Sequence, residues 1–405
     1  MNSRGSLPED VLGTDTWIAR AIGNFSSEDI KINGAGKLQV HPEIQSLAGE
    51  MWNQTLNLRK DALLGKAEKE GRKIEVFVKD ENPFSALYSR ENGIEKKELF
   101  SGPCVALIDF EVDDSVLSAI HGVTDYAVRT LMSTTPYSII DKYGWECFVD
   151  SVNLSVLPTF IDGESEVGQT FRRHGFNLNE YPGSIGTIAG GFATRNQKIE
   201  LSKVNPFHGM QKEMFEEGRL LPSLKEEDYK ERGIIHPDAE VEFGNLDDGT
   251  RIAYVSRKGQ PKIRALLYDE SDLVCTGIAT DINPLAKDPS GSKKQYIKSE
   301  YMFLCRTGIK RKHFDEIDEQ GIQKGWPRSD EHTDCYYFPF TEEGIHDYVN
   351  KNHSESMGCT GSVISYSLIA FDNGMESIRR LAREVTRHPL DDHPFYSRLG
   401  TIIKI

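Results

Sequence analysis

The sequence has little cysteine, no long apolar run and no excess of positive charge. Its six cysteines are scattered without a Cys-x-x-Cys pair, which argues against a zinc knuckle and against a secreted disulfide framework. No stretch approaches the roughly 18 consecutive apolar residues that a membrane-crossing helix needs. The first residues, MNSRGSLPEDVLG, lack the apolar segment of a signal peptide. We therefore expect a cytoplasmic protein with no membrane partner.

The charge balance excludes a further class of partner. Lysine and arginine number 48 against 63 aspartates and glutamates, so the formal net charge at pH 7 is -15. Nucleic acids and anionic membranes would repel the average surface of such a chain. The sequence therefore predicts no nucleic-acid partner, and a small molecule is the expected substrate.

With 405 residues the chain is long enough for two domains or for one large core that needs no disulfides. The pattern divides it into an N-terminal arm with a helical and a strand segment (1–100), a first α+β unit (101–280), a linker or long loop (281–298) and a second α+β unit (299–405). In the first region, residues 41–70 favour a helix, and the strand KIEVFV follows. These boundaries predict an α+β fold.

The first α+β unit begins with the apolar strand CVALIDF. Apolar residues spaced by three and four predict a helix from about Asp114 to Met132, and alternation predicts a strand over FVDSVNLSVL. A glycine-rich run, YPGSIGTIAGGFATRN, precedes a charged helix, MQKEMFEEGRLL, that we expect to be exposed. A β-meander follows, and Asp248-Gly249 predicts its first turn. Its four strands are VEF, RIAYV, IRALLY and LVCTGI.

The last 107 residues contain an apparent internal repeat at an offset of 61 residues. The first copy runs YMFLC, KRKHFDEIDEQ, WPRSDEHTD and CYYFPF; the second runs SVISYSLIAF, GMESIRRLAREV, TRHPLDDHPFYS and GTIIKI. Each copy predicts a strand, a helix, a loop and a strand. Two such units suggest ferredoxin-like βαβ units, with antiparallel sheets that carry their helices on one face and can close into an α+β barrel. Chance similarity between two βαβ units is the alternative.

The histidine loops of this repeat offer two readings. His332-Thr333-Asp334 is an H-x-D pair, His388 lies 56 residues later, and Arg398 lies ten beyond that. This order resembles the Fe(II) site of the non-haem, 2-oxoglutarate-dependent oxygenases, with His332 and Asp334 as metal ligands. Those enzymes place their ligands on a jelly roll, whereas here an amphipathic helix leads directly into His388.

A second reading uses the order of LCRTG, then MGCTG, then a strand and an amphipathic helix that ends in Arg-His-Pro. This order resembles the C-terminal part of the haem-containing aldoxime dehydratases. The resemblance implies a dimeric-type α+β barrel, hence a possible homo-oligomer, and a haem-dependent lyase that acts on a small neutral substrate. It places His388 as the axial haem ligand, and Ser184 as the distal hydroxyl. Arg398 and Ser184 are then the candidate catalytic residues.

A non-catalytic protein is the competing class. His388 sits where a helix ends, and the helix dipole favours a protonated histidine there without any cofactor. In that case the repeat is a scaffold for assembly or binding, and the histidine loops are surface turns.

Overall fold

The computed structural model describes residues 17–80, 84–113, 116–144, 147–173, 185–191, 205–258, 262–281, 286–287, 293–294, 298–323 and 332–352. The second copy of the predicted repeat and most of the predicted linker lie outside these residues. The repeat therefore stays a prediction.

The predicted α+β class is confirmed, and strands outnumber helices in the described ranges. The α-helices are α1 (Pro42–Lys69), α2 (Tyr126–Thr134), α3 (Pro136–Tyr143), α4 (Pro206–Gly218), α5 (Glu226–Glu231), α6 (Arg311–Gln323) and α7 (Glu342–Asn352). None of these helices combines the length and the apolar character needed to cross a bilayer.

The strands are β1 (Trp17–Phe25), β2 (Ile30–Lys37), β3 (Glu75–Lys79), β4 (Ala86–Glu91), β5 (Ile94–Leu99), β6 (Pro103–Asp113), β7 (Val116–Asp125), β8 (Asp150–Asp162), β9 (Ser165–Arg173), β10 (Ile185–Gly186), β11 (Ile188–Gly191), β12 (Leu220–Pro222), β13 (Glu240–Asn245), β14 (Arg251–Ser256), β15 (Ile263–Tyr268), β16 (Leu273–Asp281), β17 (Ala286–Lys287), β18 (Lys293–Lys294), β19 (Lys298–Lys310) and β20 (His332–Pro339).

The largest sheet contains eleven of these strands and curls into a nearly closed, barrel-like shape. Its main path is β1-β16-β19-β8-β6-β7-β2, and β9, β10, β11 and β20 join it beside β8. β8 and β19 pair in parallel, with Val152 next to Ser299. Strands from the predicted 101–280 and 299–405 units are thus neighbours in one sheet.

β8 has one apolar face and one partly polar face. The apolar face contributes Val152, Leu154, Val156 and Phe160 to the main hydrophobic core, where α4 adds Phe207, Met210 and Met214. Because side chains alternate along a strand, Ser151, Asn153 and Ser155 lie on the opposite face. All three are buried, so this face places polar groups inside the protein.

A second core packs α1 and α2 against β6. The buried residues of α1 recur every four positions at Ile44, Ala48, Trp52 and Leu56, which puts them on one helix face. They share a cluster with Val128 and Leu131 of α2 and with Ala106 of β6. Burying each large side chain of this kind stabilises the fold by about 1.5–3 kcal/mol. This packing fixes α2 over the polar face of β8.

A smaller sheet has the order β12-β15-β14-β13. The predicted turn at Asp248-Gly249 is confirmed, and Gly249 takes a φ of 84°, which L-residues rarely adopt. The prediction that LVCTGI continues this meander is wrong. That segment is β16, which pairs with β1 and β19 in the large sheet. Leu273 and Cys275, two residues apart on β16, are buried in the main core. The alternation of apolar residues predicts a strand here, but it does not predict which sheet the strand joins.

The predicted helix from Asp114 to Met132 is wrong over most of its length. Residues 116–125 form β7, which pairs with β6 on one side and β2 on the other. The helix begins only at Tyr126. Val116, Ile120 and Val123 share helical spacing, but β-branched side chains also favour a strand, and two neighbouring strands satisfy the backbone here.

The prediction of an exposed helix over MQKEMFEEGRLL is half right. The helix exists as α4, but Phe207, Met210 and Met214 bury one face of it in the main core. Its start explains its length: Pro206 occupies the first turn, and the side chain of Asn205 accepts a hydrogen bond from the backbone N–H of Phe207 at 2.8 Å. The buried face includes Phe207, which lies before the charged segment MQKEMFEEGRLL on which the prediction was based.

Candidate functional site

The most unusual polar group in the described structure lies between α2 and the polar face of β8. It consists of Arg129 on α2, Ser151 and Asn153 on β8, and Thr124 on β7; we call these four residues the Arg129 cluster. Their exposed fractions are 6%, 1%, 3% and 1%, respectively. Polar side chains that are this deeply buried are costly unless they are hydrogen-bonded, so each one requires an explanation.

One strong hydrogen bond organises the cluster. The guanidinium Nη2 of Arg129 donates to Oδ1 of Asn153 at 2.6 Å. Since arginine can only donate, this bond fixes the orientation of the Asn153 amide and directs its NH2 group elsewhere.

Three atoms of the cluster lack a hydrogen-bond partner. Within the described ranges, no group bonds to Asn153 Nδ2, Ser151 Oγ or Thr124 Oγ1. Leaving a buried donor or acceptor unsatisfied costs about 1–3 kcal/mol. One small polar molecule beside the arginine would satisfy three such atoms.

The strand that pairs with β8 changes beside the cluster. β6 pairs with β8 as far as Ser151, where Ala106 is the register partner. From Asn153 onward the same edge of β8 pairs with β11 instead, and Gly191 is the partner of Asn153. The neighbouring strand therefore changes between Ser151 and Asn153, and the residues beside them are small.

A buried carboxylate flanks the cluster on the other side. Glu300 lies next to Asn153 across the parallel β8–β19 pair and is 1% exposed. Its Oε2 accepts a hydrogen bond from the hydroxyl of Ser155 at 2.8 Å. Asn153 is thus bounded by a buried cation on one side and a buried acid on the other.

A buried thiol lies at the edge of the cluster. Cys104 on β6 is the register partner of Thr124. Burial raises the pKa of the Cys104 thiol to about 11, although the positive charge of Arg129 opposes the increase. The thiol is therefore protonated near neutral pH and is a poor nucleophile and a poor metal ligand.

The buried histidines in the described ranges are engaged elsewhere. His121 shares a hydrogen bond of 2.8 Å with Tyr301 Oη, and burial lowers the pKa of His121 to about 4. His313 lies 2.8 Å from Asp248, which also bonds Lys310. This second contact joins α6 to the β13–β14 turn.

No protein-family model matches this chain, and no curated protein sequence matches it. The functional argument therefore depends on the geometry above and on the resemblance found in the sequence.

Most of the site residues predicted from the sequence lie outside the described ranges. These are Ser184, His388 and Arg398. His332 is the first residue of β20, and Asp334 is exposed on the same strand. In the described part of the chain, no group of three or more histidine, cysteine, aspartate or glutamate side chains is placed to hold a metal ion.

The Arg129 cluster was missed from the sequence, although a signal was present. In the predicted strand FVDSVNLSVL, Ser151, Asn153 and Ser155 occupy alternate positions in an otherwise apolar run. Such alternation usually marks a solvent-facing side. Here α2 covers that side, which the sequence pattern does not reveal.

The glycine-rich run contributes two short strands to the large sheet. Its described residues 185–191 form β10 and β11, which pair with β9 and β8. Gly190 lies directly against the side chain of Glu213 on α4. A Cβ atom at this position would require the side chain of Glu213 to move.

Proposed function

We propose that this protein is a haem-dependent lyase, or a related haem enzyme, whose small neutral substrate binds at the Arg129 cluster. The observation that carries the proposal is the set of unpartnered, buried polar atoms around Arg129. A bound substrate would supply the missing hydrogen bonds and remove the cost of leaving them unmade.

The chemistry of the cluster fits a substrate better than it fits an iron ion. Its donors are a guanidinium, an amide and two hydroxyl groups, and its one nearby thiol is protonated. His388 would hold the haem, as the resemblance implies, and Ser184 and Arg398 are the further candidate catalytic residues. The haem would supply the iron that binds the nitrogen of the substrate.

The residues of the cluster would orient the substrate. Asn153 Nδ2 would donate to an acceptor atom of the substrate, while Arg129 holds the Asn153 amide in place. Ser151 would donate or accept a second hydrogen bond. Holding a substrate in one orientation lowers the barrier by reducing the entropy lost on reaching the transition state.

The proposal includes a fold built from ferredoxin-like units. β19, α6 and β20 form a strand–helix–strand unit, and the hairpin β8–β9 lies between its two strands in the sheet. A second such unit, from the predicted repeat, would give the paired ferredoxin-like halves of an α+β barrel. We also propose a cytoplasmic location and a homo-oligomer.

A non-catalytic binding protein is the second candidate. It is favoured by the absence of an activated nucleophile among the cysteines buried in the described ranges. Burial raises the pKa of Cys275 to about 12 and that of Cys305 well above its usual range, as it does for Cys104. Such a protein would bind the same small molecule without converting it.

The visible spectrum of the full chain with added haem tests the proposal. We expect a Soret band that saturates at one haem per chain and that disappears in His388→Ala. His393→Ala and His332→Ala are the matched controls, and both should retain the band. A colourless protein would exclude the haem enzyme. Bound iron that depends on His332 and Asp334 would favour the oxygenase reading instead.

A further inference from the structure

We infer that the Arg129 cluster selects an uncharged molecule with an acceptor and a donor atom side by side, as in a primary amide. This inference rests on the proposed function only in taking the cluster as the substrate site. It needs no haem, and it specifies the chemical class of the ligand from the residues themselves.

The acceptor on the ligand is required by Asn153. Its Oδ1 already accepts from Arg129, and its atom without a partner in the described structure is Nδ2, which can only donate. A ligand without an acceptor atom at this position would leave the amide unsatisfied. A carbonyl oxygen or an equivalent lone pair fills it.

The second polar atom of the ligand is required by Ser151. Residues two apart on a strand are about 6.6 Å apart on the same face. Two hydrogen bonds of about 2.9 Å and a ligand group roughly 2 Å wide reach at most about 7.8 Å, so they cover this separation when the two bonds converge on the ligand. The oxygen and nitrogen of one amide group meet this requirement without additional length.

The charges beside Asn153 favour a neutral ligand. Arg129 and Glu300 place one buried cation and one buried acid on either side of Asn153. A ligand that carried its own charge would add an uncompensated charge to this interior, which is expensive in a low-dielectric environment. A neutral dipole can align between the guanidinium of Arg129 and the carboxyl group of Glu300 at little cost.

The residues beside the cluster are small. Ala106 and Gly191 are the partners of Ser151 and Asn153, and neither has a side chain beyond Cβ. A small ligand group therefore meets no large side chain from these two partners.

An isosteric series tests the inference. Acetamide, acetate and acetamidinium share one shape and differ in charge, and their dissociation constants can be measured by saturation-transfer NMR on the full chain without haem. We expect saturable binding of acetamide at least about tenfold tighter than that of either ion. Equal affinities across the series, or no saturable binding of acetamide, would overturn the inference.

Two substitutions locate the binding. Ser151→Ala removes an unpartnered hydroxyl, so it should leave the melting temperature unchanged or raised while weakening acetamide binding about tenfold. Asn153→Asp should reverse the preference toward acetamidinium, because it adds a negative charge. Ser165→Ala, at an exposed position at the start of β9, is the control and should change neither property.

An unchanged acetamide affinity in Ser151→Ala, with the melting temperature retained, would place the ligand elsewhere and refute the site. The result is separable from the haem experiment. A chain that binds acetamide but shows no Soret band keeps this inference and removes the haem enzyme. A chain that shows a Soret band but binds the three compounds equally keeps the haem enzyme and removes this inference.

Discussion

Replacing His121 by glutamine should remove the contribution of this one side chain to the pH dependence of stability. His121 on β7 is 0% exposed and shares its hydrogen bond with Tyr301 Oη at 2.8 Å. Burial lowers its pKa from 6.5 to about 4. Glutamine retains a hydrogen-bonding group for Tyr301 but does not titrate.

The sign follows from the direction of the pKa shift. Between about pH 4 and 6.5 the unfolded chain binds a proton at His121 that the folded chain excludes, so the contribution of His121 to stability rises with pH through this window. Each pKa unit corresponds to about 1.4 kcal/mol, which gives about 3 kcal/mol for the whole window. Roughly 2 kcal/mol of this falls between pH 5 and 7.5.

Urea unfolding at about pH 5 and about pH 7.5 measures this contribution. The change in unfolding free energy between the two pH values should differ between the native chain and His121→Gln by about 2 kcal/mol. His236→Gln is the control, because His236 lies on the surface with 39% of its side chain exposed. Identical pH dependence in the native chain and His121→Gln would refute the reasoning.

Three further predictions concern other parts of the fold. Burial raises the pKa of Glu213 to about 7, so this group contributes about 3 kcal/mol of stability that is lost as pH rises from about 4.5 to 7, opposite in sign to His121; Glu213→Gln should remove that contribution in urea unfolding. Leu154→Ala should lower the unfolding free energy by about 2–5 kcal/mol, because Leu154 is fully buried in the main core; a loss below about 1 kcal/mol would contradict that packing. Asp248→Asn should weaken the contacts with Lys310 and His313 and make the β13–β14 turn more sensitive to protease, whereas Asp247→Asn should not.

Local patterns predicted the elements that depend on local chemistry. The helix over 41–70, the strands CVALIDF and KIEVFV, and the Asp248-Gly249 turn all occur where the pattern placed them. Each depends on alternation, on spacing along one helix face or on the conformational freedom of glycine. A few consecutive residues determine each of these properties.

The sheet order could not be predicted in the same way. β8 and β19 are neighbours although their paired residues Val152 and Ser299 are far apart in sequence. β7 was mistaken for a helix because its residues satisfy both periodicities, and only its two partner strands decide between them. Pairing between distant segments carries no local signature.

The candidate site could likewise be predicted only in part. The sequence contains Ser151 and Asn153 as polar residues in an apolar strand, but it does not show that Arg129 lies above them. That contact arises because α2 packs with α1 against β6. His388, Ser184 and Arg398 stay predictions that rest on the resemblance.

The central claim joins two parts: haem held by His388, and a neutral substrate held by the Arg129 cluster. The most direct measurement is a titration of the haem-loaded full chain with a small aldoxime, followed by the shift of its Soret band. The account predicts a saturable shift whose midpoint rises about tenfold in Ser151→Ala while haem binding is unchanged. A shift with the same midpoint in both proteins, or no shift at all, would contradict it.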